Sequence, residues 1–96
     1  GMAVRIPHPE ALNYIIKGVS RIVEVNDDEV AEAMRLTYQA THNITEGAGA
    51  GALAGLMHER GKMAGKRVGV IVTGGNIDAE RYAYVLGGGT PKIKGN

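Results

Sequence analysis

Apolar residues recur at helical spacing in several stretches of the chain and run nearly unbroken in another, and these patterns set the predicted elements. Residues 10–17 carry Leu12, Ile15 and Ile16 three and four apart, after the stiff Pro7-His8-Pro9 entry and before Gly18, which predicts a short amphipathic helix. Residues 19–25 read Val-Ser-Arg-Ile-Val-Glu-Val; their alternation is imperfect, but the β-branched content favours a strand. Asn26 followed by Glu29 forms a capping-box signature and opens a helix to about Asn43, with Val30, Ala33, Met34, Thr37, Tyr38 and Thr41 on one face. Glu46 then leads into a Gly/Ala run, residues 47–57. Each interior glycine costs a helix roughly 0.8–1 kcal/mol relative to alanine, so close approach to a sheet, a ligand or a second copy is the expected compensation. Gly61 or Gly65 ends this helix.

Residues 68–72, Val-Gly-Val-Ile-Val, have the length and composition of a strand buried on both faces. The strand runs into Thr73-Gly74-Gly75-Asn76, and Asp78 is placed to cap a last helix, residues 78–86, with Tyr82, Val85 and Leu86 inward. Residues 87–96 lack periodicity and are predicted to be a mobile tail. The order is thus α-β-α-α-β-α. Two strands alone make a poor sheet. The predicted fold class is α/β: a fragment of a three-layer parallel-sheet domain, residues 1–96 forming one partial domain whose sheet is completed by self-association or by further chain. Ligands of open α/β sheets bind beyond the carboxyl ends of the strands, which makes Thr73 to Asn76 the candidate loop.

Composition narrows the function. At 96 residues the chain can bury about 60–70% of its unfolded surface, and its only aromatics are four tyrosines, so the core is small. A formal net charge of +1 with interspersed signs gives no footprint for nucleic acid or an anionic membrane. The absence of cysteine excludes disulfides and thiolate metal sites, and with no apolar run of membrane-spanning length the chain reads as cytoplasmic and soluble. His8, His42 and His58 have no ligand spacing among them, so no metal site is expected; Asp27, Asp28 and Glu29 are explained by the helix start.

Three motifs in order carry a resemblance. They are Val25-Asn26-Asp27-Asp28-Glu29-Val30, then Thr41-His42-Asn43-Ile44-Thr45-Glu46-Gly47-Ala48-Gly49-Ala50, then Gly65-Lys66-Arg67-Val68 continuing through Thr73-Gly74-Gly75-Asn76-Ile77-Asp78. Together, over roughly residues 2–86, the chain resembles the C-terminal part of threonine dehydratases, which stand with serine dehydratases and serine racemases among the fold-type-II pyridoxal-phosphate enzymes.

The resemblance implies a lyase that expels the β-hydroxyl of a small amino acid and releases an oxo acid and ammonia, with pyridoxal phosphate as electron sink. By motif, Thr73 would face the pyridine nitrogen, Gly74, Gly75 and Asn76 would shape the loop beside it, and Glu46 would border the cofactor pocket. Gly47 stands where many members carry proline, which loosens that turn. The family's Schiff-base lysine motif and phosphate loop have no counterpart: Lys17, Lys62, Lys66, Lys92 and Lys94 all lie outside such a motif, and Gly87-Gly88-Gly89 follows a helix instead of opening one. No catalytic residue is therefore assigned. The chain alone is expected neither to hold the cofactor nor to turn over an amino acid; a complementary N-terminal chain or a homo-oligomer is the expected partner. The other reading is a free-standing interaction module that keeps the scaffold without catalysis.

Overall fold

The structure is a computed structural model and describes residues 6–92. Its elements are α1 (Pro9–Gly18), α2 (Asp27–Thr41), a 3₁₀ turn (Ala48–Ala50), α3 (Gly51–His58), α4 (Arg60–Met63) and α5 (Ala79–Leu86). Helix starts follow the local chemistry. The Asn26 side chain accepts from the Glu29 N–H at 2.8 Å, while the Glu29 carboxylate accepts from the Asn26 N–H at 3.0 Å, completing the capping box of α2. His8 plays the same part at α1, its Nδ1 accepting from the Glu10 N–H at 3.3 Å. Helix α2 stops at Thr41, two residues short of expectation, because His42 takes a left-handed conformation at φ 59° and its N–H closes on the Tyr38 carbonyl.

The glycine-rich run is not one helix. It enters as a 3₁₀ turn, becomes helical at Gly51, and breaks at Glu59 before the short α4. The chain then turns at Gly65, where φ is +78°. Around α2 pack α3, the 3₁₀ turn and α5. The core is Ala31, Ala33, Met34, Ala50, Ala54, Tyr82 and Val85, with Val30, Leu53, Met57 and Ile77 against it. Alanines at the α2–α3 contact explain why the glycine run is tolerated: small residues bring two helices close. Leu86, expected inward, is exposed, since the helix turns its Tyr82–Val85 edge to α2.

The two stretches read as strands, residues 19–25 and 68–72, form no hydrogen-bonded ladder among the described residues. A strand is defined by its neighbour, and neither stretch has one here. The start of the tail, by contrast, is tied to α2. Arg35 donates to the carbonyls of Val85 (3.0 Å) and Gly89 (3.2 Å), and the Thr90 hydroxyl donates to Asp28 at 2.6 Å. The last four tail residues, 93–96, lie outside the described residues.

Candidate functional site

Glu46 and the Thr73–Gly75 loop, far apart in sequence, are brought into direct contact. The Glu46 N–H donates to the Gly74 carbonyl at 3.1 Å, and the Thr73 N–H donates to the Gly49 carbonyl at 3.3 Å. Glycine is required on both sides of this junction. A methyl at Gly49 would collide with the carbonyl groups of Thr73 and Gly74; one at Gly74, where φ is +37°, would stand 2.8 Å from the Glu46 carboxylate; one at Gly75 would stand 2.9 Å from the Ile44 carbonyl oxygen. The glycines thus serve chain-to-chain contact, and they hold the Glu46 carboxylate over the backbone of Gly74. Beyond the loop, the Ile77 N–H donates to the Gly75 carbonyl at 3.0 Å, and Asp78 opens α5 with no side-chain cap bond.

Two cavities flank this junction. One, of about 550 Å³, takes Glu46, Gly47 and Asn76 into its wall with Asp27, Asp78 and Arg81 over an apolar floor of Val30, Ala31 and Met34. The other, of about 700 Å³, takes Thr73 and Gly74 with Thr45, Ile44, Val70 and Val72 against α2 residues Leu36, Thr37 and Thr41. The expected site residues are therefore joined by backbone hydrogen bonds but divided between two spaces: Glu46 and Asn76 open to one side, Thr73 and Gly74 to the other, with Gly75 in neither wall.

Thr45 was not singled out by sequence. It is 1% exposed, and its hydroxyl has no partner among the described residues. An unsatisfied buried hydroxyl is unfavourable by about 1–3 kcal/mol, and the Tyr82 hydroxyl is likewise buried without a partner among the described residues. A lone threonine next to a glutamate gives no sequence signal of this; in the fold Thr45 shares a cavity wall with Leu36, Thr37 and Thr41 of α2. Thr37 and Thr41 spend their hydroxyls on the carbonyls of Ala33 (2.8 Å) and Thr37 (2.7 Å).

Ionisable groups elsewhere brace the frame. Glu29 is held below the ordinary carboxyl range by the Asn26 N–H and then by His58, whose Nδ1 lies 2.6 Å from it and links α2 to the end of α3. Glu59 is lowered chiefly by its hydrogen bond to Arg21, which ties the 19–25 stretch to the α3–α4 break. Burial pushes the Tyr82 phenol up, with Tyr38 stacked edge-on beside it. Among the described residues no group of three or more metal-ligating side chains gathers.

A threonine-glycine-glycine-asparagine loop thus lies against a glutamate and a glycine-rich turn. The family model of pyridoxal-phosphate dependent enzymes matches residues 1–74, and the chain belongs to that family. It is 42% identical over 74 residues (77% of this chain, 23% of the relative) to an L-threo-3-hydroxyaspartate ammonia-lyase of a Pseudomonas species. It is 43% identical over 84 residues (84% and 26%) to a phenylserine dehydratase of Ralstonia pickettii. To an L-threonine ammonia-lyase of Thermotoga maritima it is 30% identical over 92 residues (96% and 23%). The chain spans about a quarter of the length of these curated relatives. No solved structure matches it.

The residues present fit the cofactor in part. Thr73 offers a hydroxyl that demands no charged partner, and Glu46 offers a carboxylate, but neither cavity wall includes a lysine.

Proposed function

We propose that this chain is part of a pyridoxal-phosphate-dependent ammonia-lyase acting on a small β-hydroxy α-amino acid, which eliminates the β-hydroxyl as water and regains one water as the resulting imine hydrolyses, so that the net products are a 2-oxo acid and ammonia. The observation that carries this reading is the contact of Glu46 with the Thr73–Gly75 loop in a member of this family. The relatives' names share the substrate class: threonine, hydroxyaspartate and phenylserine all carry a hydroxyl β to the amine. In the complete unit the cofactor supplies the electron sink. Thr73, Gly74, Gly75 and Asn76 supply the wall beside its ring, Thr73 placing a neutral hydroxyl there and Glu46 closing the neighbouring side.

The chain alone is inactive, because the reaction needs a lysine that no motif here provides. Its parent layer is a parallel α/β sheet, completed by self-association or by a complementary N-terminal chain, in a cytoplasmic protein. No helix of the described residues is long and apolar enough to cross a membrane. The exposure of Ile71 (79%) and Ile22 (73%) favours a second reading, an interaction module that keeps the scaffold and pairs through its uncovered apolar surface.

The test is a titration of the purified chain with pyridoxal phosphate, followed by borohydride reduction, peptide mapping, and assay of ammonia from L-threonine and L-serine. We expect no stoichiometrically labelled lysine and no ammonia. One lysine labelled at full occupancy with turnover would overturn the claim of incompetence and identify a rebuilt site.

A further inference from the structure

The segment that follows α5 folds back along one stripe of α2. Asp28, Glu32 and Arg35 stand four and three residues apart, on one face of that helix. Arg35 donates to the carbonyl of Val85, in the last turn of α5, at 3.0 Å and to that of Gly89 at 3.2 Å, while its other terminal nitrogen lies 3.4 Å from Glu32. One guanidinium thus caps the carboxyl end of α5, where the helix dipole favours a cation, and fastens the chain beyond it. The Thr90 hydroxyl donates to Asp28 at 2.6 Å. Pro91 then enters the wall of the smaller cavity with Asp27 and Ala31, and Glu46 and Asn76 share that wall. All of these contacts are made within this chain.

Three glycines shape the fold-back. The N–H groups of Gly87 and Gly88 donate to the carbonyls of Ala83 and Val85 at 3.0 Å, and that of Gly89 to Tyr84 at 2.9 Å. Gly88 takes φ +103°, and nothing stands within 4 Å of where its side chain would be, so the backbone can swing there. The core includes none of residues 87–91. A segment held by a few hydrogen bonds instead of core packing opens at the low end of a protein's stability range.

We infer that residues 87–91 are a hinged strap that closes the Glu46–Asn76 cavity on its Asp27–Ala31 side and is latched to α2 by Arg35 and Thr90. When the latch releases, the chain turns about Gly88, Pro91 leaves the wall, and the cavity opens beside Asp27. As a control on entry to a lyase site, the strap rests on the functional reading above. As a moving part it does not, and its test uses neither cofactor nor substrate.

The sequence has no cysteine, so Ala48→Cys puts a single thiol in the cavity wall. Its alkylation by N-ethylmaleimide is measured in the whole chain, with and without Thr90→Val or Arg35→Gln. Ala52→Cys, exposed on α3, is the control. We expect the thiol at position 48 to react about threefold faster with Thr90→Val and about tenfold faster with Arg35→Gln, the charged hydrogen bonds being the stronger ones. The control rate and the helical circular dichroism are expected to stay unchanged, and amides 87–89 to lose hydrogen-exchange protection in the same two variants. Unchanged alkylation at position 48 in Thr90→Val, a swap of equal shape outside the helices, overturns the proposal whether or not Arg35→Gln folds. So does an equal rise at both thiols, the sign of general loosening.

Discussion

Gly49 has no room for a side chain. Its backbone carbonyl accepts from Thr73, and an added methyl would lie among the carbonyl groups of Thr73 and Gly74. Gly49→Ala is therefore expected to lower stability by about 1–3 kcal/mol, the usual effect of forcing atoms into a closed contact, through displacement of the 73–75 loop. Gly55→Ala is its control. Position 55 meets nothing within 4 Å, and alanine there removes a helix-interior glycine. Urea midpoints of the two variants should move in opposite directions; a shared direction would contradict the contact. The capping box of α2 and the glycines of the 73–76 loop are legible because caps and turns are local, whereas the buried hydroxyl of Thr45 is not. Nothing beside Thr45 in sequence shows that it will be buried. For the same reason Ala31, which the periodicity left off the inward face, is buried: the face of α2 is widened by α5 and the 3₁₀ turn packing on either side.

At the scale of elements, α2 is the clearest case of local chemistry sufficing, since its cap, acidic first turn and spacing all agree with the helix observed. Its cap also reaches beyond itself, because Glu29 meets His58 at the end of α3. The Glu29 carboxyl sits below its ordinary value of 4.5, so its ionised form is favoured in the folded state. That contribution is present above pH 4.5 and is lost as pH falls below it. The stability gap between the unsubstituted chain and Glu29→Gln should accordingly be widest above pH 4.5 and close in more acidic solution, as thermal melts across pH would show. A gap independent of pH would mean that the carboxylate charge has no part in the cap. Helix α1 is the opposite case. It forms as its pattern predicts, yet it buries no residue, because what its Leu12–Ile15 face would pack on is not among the described elements. The residues 68–72 run shows the same split. Its composition specifies a strand, but hydrogen bonds to a neighbour are what make one.

The chain, about a quarter of the length of its curated relatives, is under-buried for its mass. It hides about half of the roughly 14,600 Å² its unfolded chain exposes, where a monomer of this size would hide nearer two thirds. The urea dependence of unfolding follows the area exposed, so a dilute monomer should show an m-value at or below about 1 kcal/mol/M, the bottom of the usual range. A steep transition at low concentration would mean a more closed molecule than this one. Sequence by itself determined the helix starts, the glycine-bearing loop, the family and the identity of the candidate site residues, because caps, turns and motifs depend on neighbours a few positions away. Only the tertiary structure decided that Glu46 and Gly74 touch, that the candidate residues open into two cavities, and that, among the described residues, the Thr45 hydroxyl has no partner and residues 68–72 no backbone pairing. Each of these depends on which distant segment arrives, and on which does not.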